Sequence, residues 1–120
     1  MGTFKNSGFK GNARSVAAGD YADTSTAADC LIQVSTDGSS DCIATLAEAA
    51  DNLGLILAYQ HEADGGNDVV VTRAGSDTLD ETGDTGNTTF TMANAGEWIV
   101  IMAVADDIWA VLARQGGTLA

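Results

Sequence analysis

Apolar residues in this chain come in short bursts, and Gly, Asp, Asn and Ser separate them. Residues 30–35, Cys-Leu-Ile-Gln-Val-Ser, are rich in strand-forming types. Asp37-Gly38 follows as a hairpin-turn signal, and 41–46 reads as the returning strand. The one helix-prone stretch is 47–52, Ala-Glu-Ala-Ala-Asp-Asn, which is long enough for a single helical turn at most. Residues 53–60, Leu-Gly-Leu-Ile-Leu-Ala-Tyr-Gln, form a long apolar run and predict a central strand. A loop over 61–67 leads to a valine-rich strand at 68–73, and 74–77 turns the chain again. Thr78-Leu79 predicts a brief strand at the start of an acidic, polar stretch that runs to residue 87.

Residues 88–92, Thr-Thr-Phe-Thr-Met, alternate polar and apolar as a half-buried strand does. Ala95-Gly96 turns into the run 97–105, Asp106-Asp107 breaks it, and 108–113 returns. Gly116-Gly117 ends the fold and leaves 118–120 as a tail. A buried helix is the competing reading for 53–60 and 98–105, but their lengths and flanking turns favour strands. Turn signals therefore recur roughly every 8–12 residues, the spacing of an all-β domain. The expected fold is a compact antiparallel β-sandwich or barrel of about seven or eight short strands.

Composition sharpens this picture at the N-terminus. The chain has 120 residues, 14 glycines and no proline, so Gly, Asp and Asn must make its turns. Seventeen acidic residues against five basic ones give a net charge of −12, yet Lys5, Lys10 and Arg14 all precede the first acid, Asp20. Residues 1–20 show no sustained period and read as an extended basic arm, 21–115 as the body and 116–120 as the tail. The acidic body is expected to repel nucleic acid and anionic membranes. Phe4-Lys5 and Phe9-Lys10 repeat an aromatic–basic pair in a glycine context. Such a pattern suits a segment that orders on a partner, with a frayed terminus as the bland alternative. No stretch has the apolar length of a membrane span or the apolar core of a signal peptide.

Catalytic chemistry finds little support. His61 is the lone histidine, and beside Glu62 in a turn it reads as a solvated residue rather than a base. No glycine-rich loop follows a strand and opens a helix, so no nucleotide site is read. Cys30 and Cys42 have no CxxC or Cys/His spacing and read as buried thiols, with a disulfide as the alternative. The acidic loops at 64–68 and at Asp77, Asp80, Glu81 and Asp84 carry oxygen ligands of the kind calcium takes, but they match no EF-hand and read as solvated. Asn87-Thr88-Thr89 fits a glycosylation pattern that matters only in a secreted eukaryotic chain. The reading is of no catalytic residue, no cofactor, no metal and no enzyme. Trp98 and Trp109 lie in facing strands across Asp106-Asp107, where a tight turn places them near each other. Core packing is one reading of the pair and a subunit interface the other.

The order of these segments resembles a module of tailed-bacteriophage virion proteins. It is carried by the strand ending in Leu46, Ala-Glu-Ala-Ala-Asp-Asn-Leu-Gly-Leu-Ile-Leu-Ala-Tyr at 47–59, and Asp68-Val69-Val70-Val71. Ser76-Asp77-Thr78-Leu79, Ala95-Gly96-Glu97-Trp98-Ile99 and the final Ile108-Trp109-Ala110-Val111-Leu112 complete it, over about residues 28–114. The module is found in head decoration (capsid cement) proteins and in tail-fibre or tail-tip domains. Two departures stand out: Ala47-Glu48 replaces the module's proline after Leu46, and Asp106-Asp107 its Asp-Gly turn. The resemblance implies a homotrimer on the outer surface of the capsid, made in the host cytoplasm, with the major capsid protein as partner. Phe4, Lys5, Phe9, Lys10 and Arg14 are then the expected shell contacts. A tail-associated protein touching the host surface is the second expectation. A β-sandwich module for a small ligand or glycan is the third.

Overall fold

The computed structural model describes residues 12–16, 21–22, 29–36, 38, 40–63 and 65–120, the first nine of these by their backbone course alone. Among the described residues the strands are β1 (Asn12–Val16), β2 (Tyr21–Ala22), β3 (Asp29–Ser35), β4 (Cys42–Thr45), β5 (Ile56–Ala63) and β6 (Val69–Thr72), then β7 (Thr78–Glu81), β8 (Asp84–Asn87), β9 (Thr89–Met92), β10 (Trp98–Ala105), β11 (Ile108–Gln115) and β12 (Thr118–Leu119). They form a seven-stranded sheet ordered β1-β3-β5-β10-β11-β7-β8 and a five-stranded sheet ordered β12-β9-β6-β4-β2. The all-β sandwich expected from the segment pattern is the architecture found. Along most strands every second residue is buried, as in Ile56–Ala63 and Trp98–Ala105. The two inner faces share one core containing Ile32, Leu57, Tyr59, Phe90, Ile101 and Trp109.

Strand direction corrects the antiparallel expectation. From β1 to β6 the chain alternates between sheets, so β1, β3 and β5 stack parallel in one while β2, β4 and β6 stack parallel in the other. The reversal between β3 and β4 is thus an arch over the core and not the expected hairpin: the two strands lie in different sheets. Both segments carry an inward apolar row, Ile32 and Val34 against Cys42 and Ala44. An arch sets such rows face to face, and the sequence signal for a reversal does not distinguish it from a hairpin.

Successive arches lean on each other. Thr36 N–H donates to Ala63 O at 2.9 Å, Cys42 N–H to Asp68 O at 2.9 Å, and Asp68 N–H to Asp41 Oδ1 at 2.9 Å. Gly38, at φ +85°, has no room for a side chain, since a Cβ there would lie 2.5 Å from Gly65 O. This stacking has a sequence correlate. Asp37-Gly38-Ser39-Ser40-Asp41 recurs as Asp64-Gly65-Gly66-Asn67-Asp68, and Asp41 and Asp68 are 27 positions apart, as are Gln33 and Gln60.

The second half is built mainly from antiparallel pairs. β10 and β11 form the expected hairpin across Asp106-Asp107, with Ala105 opposite Ile108. The acidic stretch after Thr78-Leu79 is itself a hairpin, β7–β8. Residues 118–119, read as tail, pair with β9. The helix-prone stretch is a 3-10 turn at Ala49–Asp51. Residues 12–16, read as part of the arm, lie in the sheet as edge strand β1.

Candidate assembly surface

The two sheets turn different chemistry outward. On the small sheet the outward positions of β4, β6 and β9 include Thr45, Thr72, Thr89 and Thr91, with Ile43 and Val70 among them. On the large sheet the strand registers align Ile56 with Met102 and Ala110, Ala58 with Val100 and Ala113, and Leu31 with Ala58. These side chains and Trp98 alternate with the buried rows and so face outward. Val104 is 47% exposed, and Leu112, at the irregularity in the β10–β11 pairing, is 51% exposed. Gln33 Nε2 donates to Gln60 Oε1 at 3.1 Å, starting an amide row that the Trp98–Gln60 and Trp98–Gln115 pairings carry across the sheet. Carboxylates stand at the margins: Glu62 is exposed near the end of β5, and Asp80 lies beside Ala110.

The two tryptophans part company here. Trp109 is fully buried and its indole N–H donates to Ala47 O at 3.2 Å, so it is a core residue. Trp98 faces outward, partly exposed, five positions along β10 from Ala103, the partner of Trp109. That offset is roughly 17 Å on the opposite face, so the expected neighbourhood of the pair is corrected. The hairpin begins tightly at the Asp-Asp turn, but Trp98 lies at its far end.

Of the expected shell contacts, Phe4, Lys5, Phe9 and Lys10 lie outside the described residues. Arg14 falls in β1, in register with Ile32 of β3. Of the five, the structure describes the backbone of Arg14 alone, and it ties Arg14 to the body through its strand.

His61 is not a solvated turn residue. It continues the inward row of Leu57 and Tyr59 on β5 and is fully buried. Its Nδ1 lies 3.0 Å from Met92 O, and its Nε2 lies 3.5 Å from Thr36 Oγ1, which itself accepts from Gly65 N–H at 2.9 Å. The ring thus ties the arches to β9, a structural task. Alternation along the apolar run of β5 is the signal that reading His61 as a turn residue overlooks.

The acidic loops are engaged locally. Asp77 Oδ2 accepts from Ala49 N–H at 2.9 Å and Asp80 Oδ1 from Gly86 N–H at 2.8 Å. Glu81 takes a two-point bond from Arg114, at 2.8 Å and 3.1 Å, which lowers its pKa from the ordinary 4.5 and raises that of Arg114. Glu97 accepts from Gly117 N–H and Asn94 N–H at 3.0 Å each, and these bonds hold its carboxyl below the ordinary 4.5. Among the described residues no three His, Cys, Asp or Glu side chains converge to hold a metal ion. Asn87 is buried and its amide donates to Asp84, which does not suit a glycan acceptor. Among the described residues no helix is long and apolar enough to cross a membrane.

Comparison with known proteins returned no match: no family model, no curated protein and no solved structure aligns significantly with the chain.

Proposed function

We propose that this chain is a capsid decoration protein, a homotrimer that binds the outer surface of a phage head and stabilises the shell. The observation that carries the reading is the uncharged, largely apolar centre of the large sheet's outer face in a chain of net charge −12. A face of that kind suits assembly, since soluble monomers seldom leave a broad apolar patch uncovered. The segment order quoted above points the assembly toward a virion. The basic–aromatic residues Phe4, Lys5, Phe9 and Lys10 precede β1, the edge strand of the same sheet, and would reach the major capsid protein from there. A protein that prefers the expanded, mature shell stabilises it by its difference in affinity for the two states.

The test is pelleting with expanded phage heads. The full chain is expected to co-sediment and to raise the temperature at which the heads break. Removal of residues 1–10, which leaves β1 intact, is expected to abolish binding while the far-ultraviolet circular dichroism stays unchanged. Undiminished binding by that truncation would remove the arm from the mechanism, and no binding by the full chain would remove the shell.

A tail-associated role is the second reading. The parallel stack of β1, β3 and β5 over β2, β4 and β6 favours it, because stacked coils extend along an axis as fibres do. Copy number in purified particles separates the two, since a decoration protein follows the shell lattice and a tail protein does not.

A further inference from the structure

The geometry points to the outer face of the seven-stranded sheet as the surface through which copies of this chain join, each turning that face toward a common axis. This deepens the trimer reading above and rests on it. Three features select a second copy as the occupant.

The first is charge. A chain of net charge −12 repels its own copies wherever carboxylates meet. The central outward positions of β3, β5 and β10, including Leu31, Ile56, Trp98, Val100 and Met102, carry no charge, and Glu62 and Asp80 stand at the edges. Copies meeting there keep their carboxylates at a solvated rim. A basic partner would gain nothing from this face that the acidic remainder of the surface does not already offer.

The second is the amide row. Gln33, Gln60 and Gln115 flank Trp98 in register. An amide both donates and accepts, so a row of amides is complementary to its own copy. The third is size. Four strands about 4.8 Å apart, with outward positions spread over about 20 Å of β10, give a projected apolar area of roughly 400 Å². A stable interface takes about 800 Å² from each partner. The apolar centre supplies about half of that and the flanking strands of the seven-stranded face the remainder, while the outward positions described on the small sheet are mostly threonine.

The experiment is the solution mass of the full chain by light scattering on a sizing column, with two charge substitutions compared. Met102→Glu places a carboxylate at the centre of the face, and Thr91→Glu places one on the outer face of the small sheet. The wild type and Thr91→Glu are expected to run as the same multimer, and Met102→Glu as a monomer. A monomeric wild type, or a Met102→Glu chain that keeps the wild-type mass, overturns the proposal.

Should Met102→Glu fail to fold, tryptophan quenching of the wild type by acrylamide serves instead. Trp109 is buried in every state, so the quenchable fraction reports Trp98. It is expected to fall several-fold between dilute and concentrated protein. A fraction independent of concentration, in samples whose mass does change, places the joint elsewhere. Shell pelleting is a separate readout: a chain that multimerises through this face and ignores heads keeps this inference and loses the decoration reading. Head binding by a chain whose multimer survives Met102→Glu does the reverse.

Discussion

The two halves of the sandwich reach the same core by different routes. In the parallel half, β3 meets β5 across 27 positions, and the intervening chain includes a strand of the other sheet. In the antiparallel half, β10 and β11 meet at Ala105 and Ile108 across a tight turn. Loop closure therefore costs more entropy in the first half before any ladder forms. The halves are joined along two antiparallel seams, β5–β10 and β6–β9, where Tyr59 faces Ile99 and Val71 faces Phe90. The antiparallel half can close its hairpins on its own, while the parallel half needs the seams as a template.

The largest expected effect tests whether that difference survives in the folded molecule. Trp109→Ala empties a fully buried site of the antiparallel half and is expected to cost about 3–5 kcal/mol. Ile32→Ala, two strands out from the β5–β10 seam, is expected to cost about 2–5 kcal/mol. Urea unfolding followed by circular dichroism and by tryptophan emission decides how the halves are coupled. One shared transition in both variants means that the seams bind them into a single cooperative unit. A separate early transition in Ile32→Ala alone, seen by circular dichroism and followed at higher urea by the main change in tryptophan emission, means that the parallel stack melts off a surviving antiparallel half.

Next in size are two glycine substitutions, one in each half, at about 1–3 kcal/mol. Gly38→Ala pushes a methyl group at the backbone of the neighbouring arch, where Gly65 O has no free rotation. Gly117→Ala, at φ +67°, pushes one into the Phe90 ring beneath β12. A side chain can turn aside where a backbone carbonyl cannot, so Gly38→Ala is expected to be the more damaging. Thermal melts check the order, and equal losses would mean that the stacked arches yield as easily as a ring.

How much of this was legible beforehand follows the same division. The strands at 69–72, 89–92 and 98–105 were readable because alternation or a valine-rich run sets them off from polar turns, and so was the hairpin at Asp106-Asp107. The arches were not, because a reversal signal such as Asp37-Gly38 reads the same whether the returning strand pairs or crosses the core. The repeat of Asp-Gly-x-x-Asp at 37 and 64 was the available clue, since a repeated reversal suits stacking better than an isolated hairpin. The hairpin β7–β8 escaped because Thr82-Gly83-Asp84-Thr85-Gly86 carries no apolar residue to show a period. At the candidate surface, the apolar runs of β5 and β10 were plain, but which of their residues face outward depended on register. The division of Trp98 from Trp109 followed from register alone.

The smallest expected effect concerns the carboxylates, and it separates the halves by pH. Glu97 and Glu81 both have folded-state pKa values below the ordinary 4.5, and both lie in the antiparallel half or at its threshold. A carboxyl depressed by folding contributes stability that is fully present above its unfolded value and lost as pH falls through its folded value. The loss therefore sets in below 4.5. Glu97 holds Gly117, the residue that leads into β12, and β12 is fastened onward through Ala120 N–H to Thr89 O. Acid is thus expected to release β12 before it touches the parallel stack, and hydrogen exchange checks this amide by amide. On acidification below 4.5, the Thr118 and Ala120 amides, which face β9, are expected to lose protection ahead of Ala44 and Val70. Glu97→Gln should shift that early loss to neutral pH and flatten its pH dependence. Protonation also relieves the mutual repulsion of a chain of net charge −12, which favours the folded state. That relief is shared across the molecule, so the difference between β12 and the β4 and β6 amides isolates the Glu97 clamp. Earlier loss at Ala44 and Val70 would place the acid-sensitive contacts in the parallel arches and reverse the comparison.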